Sequence, residues 1–158
     1  MGMKILSIDQ SYTHCAFCII DENKLVDFGV FESDKADSVY DRALYIANKI
    51  IAVQQQHLPN EIRLEGLAFA MRGNATRDLA GLLFTIITTI KSKCQFNNFK
   101  IISPKTVKKT ATGSGKATKK QMVNSLPEEI KDIFTSQGYK LTTGLTDLAD
   151  AFWIGKCE

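Results

Sequence analysis

Three strand-like runs crowd into the first 32 residues, and this crowding limits the fold more than anything else in the chain. KILSID at residues 4–9, AFCIID at 16–21 and LVDFGVFE at 25–32 are apolar or alternating, and only short polar turns separate them. Connections that short join antiparallel neighbours, so the spacing predicts a meander. Strand and helix then alternate. Asp37 or Ser38 is placed to cap a helix running to about His57, with Val39, Ala43, Leu44, Ala47, Ile50 and Ile51 at helical spacing and Pro59-Asn60 ending it. IRLEGLAF at 62–69 reads as a fourth strand with Arg63 and Glu65 on one face. A helix follows from about 75 to 93, and FKIIS at 99–103 makes a fifth strand. Ser103 and Pro104 suit the cap and first position of a short helix. Further helices are expected near 118–126, 127–136 and 145–156. The order βββαβαβ followed by helices predicts an α/β fold with a mixed five-stranded sheet flanked by helices, on a single domain spanning 1–158.

Composition excludes more than it assigns. At 44% hydrophobic and 23% charged residues the chain suits a soluble globular domain. The longest apolar stretch, Leu82 to Ile90, is too short for a bilayer and carries three threonines. The first residues lack a signal-peptide layout, and Leu6 stands where an N-myristoylation motif needs Ser or Thr, so a cytoplasmic location without membrane contact is expected. Cys15 and Cys18 form a CxxC inside a strand-like run, with no second ligand pair, which favours reduced, buried thiols over zinc. Net charge is only +3, but residues 100–120 hold seven lysines and no acid, while acids gather in 21–41 and 128–132. Such asymmetry suits a nucleic-acid surface as well as a solvated basic face. GSGKAT looks like part of a nucleotide-binding loop. Thr110 replaces its first glycine and Ala117 its Ser/Thr, so no nucleotide is expected.

Four carboxylates sit where structure alone would not place them. Asp9 ends an apolar strand, and Glu65 lies within another. Asp147 and Asp150 are one turn apart on the apolar helix segment LTDLADAFWIG. Singly, each reads as readily as a cap, an Asx turn or a strand end. Together they offer hard oxygen ligands for Mg²⁺ or Mn²⁺, and two such ions about 4 Å apart serve phosphodiester hydrolysis.

ILSID at 5–9, RLEGLAF at 63–69, the basic glycine-containing KTVKKTATGSGKATKKQMV at 105–123 and LTDLADAFWIG at 145–155 resemble, in order and spacing, the RuvC-like Holliday junction resolvases of the ribonuclease H-like fold. The resemblance covers nearly the whole chain. It implies a metal-dependent endonuclease that resolves Holliday junctions and related branched DNA, forks and flaps included, leaving 5′-phosphate and 3′-hydroxyl ends. Asp9, Glu65, Asp147 and Asp150 would hold two Mg²⁺ ions, with Mn²⁺ able to substitute. Lys108 and Lys119 match basic positions near the scissile phosphate. Phe69 resembles an aromatic that stacks on a base at the junction centre, displaced here by one residue. Lys105, Lys109, Lys116 and Lys120, with Arg72 and Arg77, are expected on DNA phosphates. The family also implies a homodimer through the helix at 75–93, whose surplus of apolar residues points the same way. Gln10-Ser11 departs from the Pro-Gly of bacterial members and resembles bacteriophage-encoded relatives. A ribonuclease H-type enzyme acting on RNA–DNA hybrids and a catalytically silent DNA-binding module are the competing readings.

Overall fold

A computed structural model describes residues 2–67 and 73–158. Strands β1 (Lys4–Asp9), β2 (Cys15–Asp21) and β3 (Lys24–Phe31) form the antiparallel meander. Helix α1 (Val39–His57) follows, capped by the Ser38 side chain and closed by Leu58 in the left-handed region. Strand β4 (Glu61–Glu65) returns parallel to β1, α2 (Asn74–Cys94) crosses over, and β5 (Phe99–Ile102) adds parallel to β4. The sheet order is β3-β2-β1-β4-β5. Helices α3 (Pro104–Thr112), α4 (Lys119–Asn124), α5 (Glu128–Ser136) and α6 (Leu145–Lys156) complete the fold. Ser103 caps α3 with Pro104 at its start, and a reciprocal Thr118–Gln121 capping box opens α4.

The fourth strand is shorter than the sequence suggests. It ends at Glu65, and Gly66 and Leu67 lie outside it. The apolar pattern continues past Glu65, but the ladder with β1 stops at Ile8↔Leu64, and only the Gly66 N–H, bonded to the Ile102 carbonyl at 2.7 Å, extends the link to β5. Phe69 and Arg72 lie outside the described residues.

Side-chain alternation sorts the sheet into two faces. Leu6 and Ile8 of β1, Phe17 and Ile19 of β2, and Ile62 and Leu64 of β4 pack against α1 and α2. Ala16, Cys18 and Ile20 of β2 face α5 and α6. A third cluster, including Ile102, Val107, Met122 and Ile154, seats α3 and α4 beside α6. Gly155 lets α6 lie close on the sheet: a Cβ there would stand 2.5 Å from Ile20 Cδ1 and 2.9 Å from Ser7 Oγ. All four cysteines are free thiols, three of them buried. Among the described residues no helix is long and apolar enough to cross a membrane.

Candidate active site

The same alternation aims the acids. Since even-numbered residues of β1 and β4 enter the α1–α2 core, Asp9 and Glu65 project from the opposite face, toward α6. The parallel register pairs Ile8 with Leu64, so Asp9 and Glu65 follow at matching levels at the carboxyl ends of neighbouring strands. Helix α6 crosses this face with Asp147 in its first turn and Asp150 one turn on. Gly144 is its N-cap, without a side-chain cap bond, so Asp147 does not serve as the cap.

The four acids act on one another. Asp9 is held well above the usual carboxylate range by burial first, then by Asp150, Glu65 and Asp147, with Lys119 opposing. Burial, then repulsion from Glu65 and Asp147, pushes Asp150 up to about 7 against Lys119 and Lys108. Glu65 is raised by burial and lowered by Lys108 and Lys119. Asp147 is raised by burial and lowered by His14, Lys119 and its own backbone N–H. All four residues nevertheless keep part of their surface exposed. Among the described residues no ion pair within 4.0 Å reaches any of them. Nor do any three Asp, Glu, His or Cys side chains there close into a ready-made coordination shell. An all-oxygen, mutually repelling donor set fits a hard divalent cation, which lowers every one of these proton affinities at once. A cleft of about 240 Å³ opens beside Asp9 and Glu65, bounded by Gln10, Gly66, Leu67, Leu79 and Pro104.

The basic segment divides. Lys108, half-buried on α3, acts on Glu65 and Asp150, and Lys119, exposed at the start of α4, acts on all four acids. Lys105 lies over Gly115, where a Cβ would meet its Cγ at 2.6 Å. Lys116 lines a separate groove with Ser114, Gln121 and Asn124. Lys109 and Lys120 are exposed on α3 and α4. Arg77 stands apart from the acids, in a hollow of about 450 Å³ between α1 and α2 lined also by Tyr12, Tyr40 and Leu44, 3.6 Å from Asp78.

Three residues at or behind the acids were not assigned from sequence. His14, 3.1 Å from Glu32, faces Asp147, but a lone histidine in a polar turn carries no pattern. Arg63, 6% exposed, pairs with Glu61 at 2.5 Å and donates to the Gly155 carbonyl at 3.1 Å and to that of Cys157. It fastens the last turn of α6 to β4. Its place on the Glu65 face was legible; its partners 92 residues away were not. Gln10 bonds the backbone of Glu65.

The family model described as Crossover junction endodeoxyribonuclease RuvC matches residues 5–152. A protein of that name from Campylobacter jejuni serotype O:6 is 30% identical over 138 residues, covering 83% of this chain and 85% of the relative. One from Aliarcobacter butzleri is 27% identical, covering 76% and 79%. Among solved structures, Thermus thermophilus RuvC in complex with Holliday junction substrate superposes with a TM-score of 0.70 at 19% identity, covering 96% of this chain and 90% of that one. At that identity the likeness speaks for the fold.

Proposed function

The chain belongs to the RuvC family of crossover junction endodeoxyribonucleases, and from that premise we propose that Asp9, Glu65, Asp147 and Asp150 are the carboxylates that hold its metal ions. The protein is a structure-selective nuclease that resolves four-way DNA junctions by phosphodiester hydrolysis. Forks and flaps are further proposed substrates. The observation that carries the site assignment is the convergence of four mutually repelling carboxylates from β1, β4 and α6 beside Lys108 and Lys119.

Enzymes of this family are metal-dependent. The proposed complement is two Mg²⁺ ions, with Mn²⁺ able to replace them; when bound, they supply the Lewis acidity that activates water and stabilises the leaving oxygen. The chain's own residues do the rest. Asp9 and Glu65 fix two sets of oxygen donors on rigid strand ends, and Asp147 and Asp150 face them from one side of a helix. Lys119 places positive charge beside all four acids, where negative charge grows on the phosphoryl oxygens in the transition state. Lys108 supports the same charge from the Glu65 side. Lys105, Lys109, Lys116 and Lys120 bind phosphates, a contribution that weakens steeply with salt. Arg77, on the α1–α2 side, is placed for a junction arm rather than the scissile strand. Phe69 remains a proposed stacking contact at the junction centre, and Arg72 a proposed phosphate contact.

The enzyme works as a homodimer, each subunit cutting one strand so that the two cuts are symmetric. The proposed contact is the outer face of α2, where Phe84 is 65% exposed beside exposed Gly81 and Thr88. We place the activity on a single domain, 1–158, in the cytoplasm of its cell.

The decisive experiment uses Asp9→Asn. The variant should bind a four-way junction with wild-type affinity and fail to cut it in Mg²⁺. Cutting at the wild-type rate would overturn the metal assignment, and preferential cutting of an RNA–DNA hybrid by the unaltered protein would overturn the substrate.

A further inference from the structure

We propose that Gln10 is a positioning residue for the metal site, acting through the backbone of Glu65; this rests on the reading of Asp9 and Glu65 as metal ligands. In β4 the even-numbered positions turn their backbone groups toward β5, as the bonds of Ile62 N–H to the Asn98 carbonyl and of Gly66 N–H to the Ile102 carbonyl show. Residue 65 therefore turns its N–H and C=O toward β1. The β1–β4 ladder is registered only as far as Ile8↔Leu64, leaving the level of the two acids at the unzipped end of the pair. The Gln10 carboxamide occupies that level. Its Nε2 donates to the Glu65 carbonyl at 2.5 Å, and its Oε1 accepts from the Glu65 N–H at 3.3 Å.

A primary carboxamide presents an N–H and a C=O side by side, as a peptide group does, and so substitutes for one more rung of the sheet. Its own backbone follows Asp9 directly. One side chain thereby ties the backbone origin of the first acid to that of the second. Glu65 has three side-chain torsions, and its carboxylate is repelled by its neighbours. Fixing its backbone on both sides, to β5 through Gly66 and to β1 through Gln10, limits where that carboxylate can go. Gln10 need touch neither metal nor DNA to do this.

The test uses Gln10→Met, which keeps the shape and removes both bonds, and Gln10→Asn, which keeps the amide but is one methylene short of the rung. Three readouts are taken on the full chain: amide exchange at Glu65 with Gly66 as internal reference, binding of Mn²⁺ alone without DNA, and the Mg²⁺ concentration for half-maximal junction cleavage. Both variants should exchange the Glu65 amide at least about tenfold faster with Gly66 within about twofold, and bind Mn²⁺ about five- to tenfold more weakly. Their Mg²⁺ requirement should rise in parallel, while kcat at saturating Mg²⁺ falls less. A merely structural glutamine would lower the melting temperature and leave Mn²⁺ affinity unmoved; that result, or an unchanged Glu65 amide, overturns the proposal. If Gln10→Met does not fold, Gln10→Asn alone decides. Failure of the unaltered protein to bind Mn²⁺ would sink the metal reading and this proposal with it. Equal Mn²⁺ binding by wild type and variants would sink only the role of Gln10.

Discussion

Removing one negative charge from the acidic cleft should make the metal-free protein more stable, and Asp150→Asn is the cleanest way to do so. Asp150 ionises near 3.8 in an unfolded chain and near 7 in the fold, because burial and then Glu65 and Asp147 disfavour its charge. Between those pH values the folded state binds more protons than the unfolded one, so stability falls as pH rises through the window and levels off above about 7. A rise from 3.8 to about 7 sets a ceiling of about 4 kcal/mol. Asp150 keeps part of its surface exposed, and solvent screening brings the expected effect down to about 2 kcal/mol. Asparagine keeps the shape and cannot ionise. In EDTA at pH 8 the variant should therefore melt roughly 4–8 °C above wild type, with the gap closing as pH falls toward 4. Mg²⁺ should reverse the order, stabilising wild type by mass action and the variant far less. Thermal melts by circular dichroism at half-unit pH steps, with EDTA and with Mg²⁺, measure all of this. A variant that is less stable than wild type at pH 8 in EDTA, or a gap independent of pH, would refute the picture of crowded carboxylates.

Other expectations follow from the same geometry. Lys119→Met should lower kcat roughly 10- to 100-fold while changing junction affinity little, because one cation near the transition state is lost among many phosphate contacts; single-turnover cleavage beside gel-shift titration separates the two. Arg63→Met strands Glu61 and the last carbonyls of α6, and should cost about 3 kcal/mol or more in a denaturant melt. Phe84→Asp should shift the protein to monomer in light scattering and, at dilutions where wild type is also monomeric, leave the melt within about 0.5 kcal/mol; persistence of the dimer would move its interface away from the outer face of α2.

Most of the fold was legible because its signals are local. Ser38 and Ser103-Pro104 are start signals within four residues of what they start. The meander followed from turn length, and the two faces of the sheet from alternation. The end of β4 was not legible, since a strand ends where its neighbour does, and β1 lies more than fifty residues earlier. The acids stood out because carboxylates are out of place on apolar elements. Which lysines meet them was only half legible: residues 100–120 are uniformly basic, and it is the packing of α3 and α4 on α6 that brings Lys108 and Lys119 to the acids and leaves Lys116 in another groove. Of the apolar surplus read on α2, Leu82, Leu83, Ile86 and Ile90 went into the core, Ile87 packs against it, Leu79 lines the cleft and Phe84 stays exposed. Arg63 and Gln10 work through backbone groups of distant segments, and backbone groups have no sequence.

Gly155 gives the site a mechanical aspect. Helix α6 rests on the sheet where a glycine leaves no gap for a side chain, and Asp150 lies about 7 Å up the same rod. A Cβ there would press on Ile20 and Ser7 of the sheet, against the seating of the same helix that carries Asp147 and Asp150. The seating of the helix that carries two of the four proposed ligands is thus a machining tolerance, set by the thickness of one residue that has no side chain.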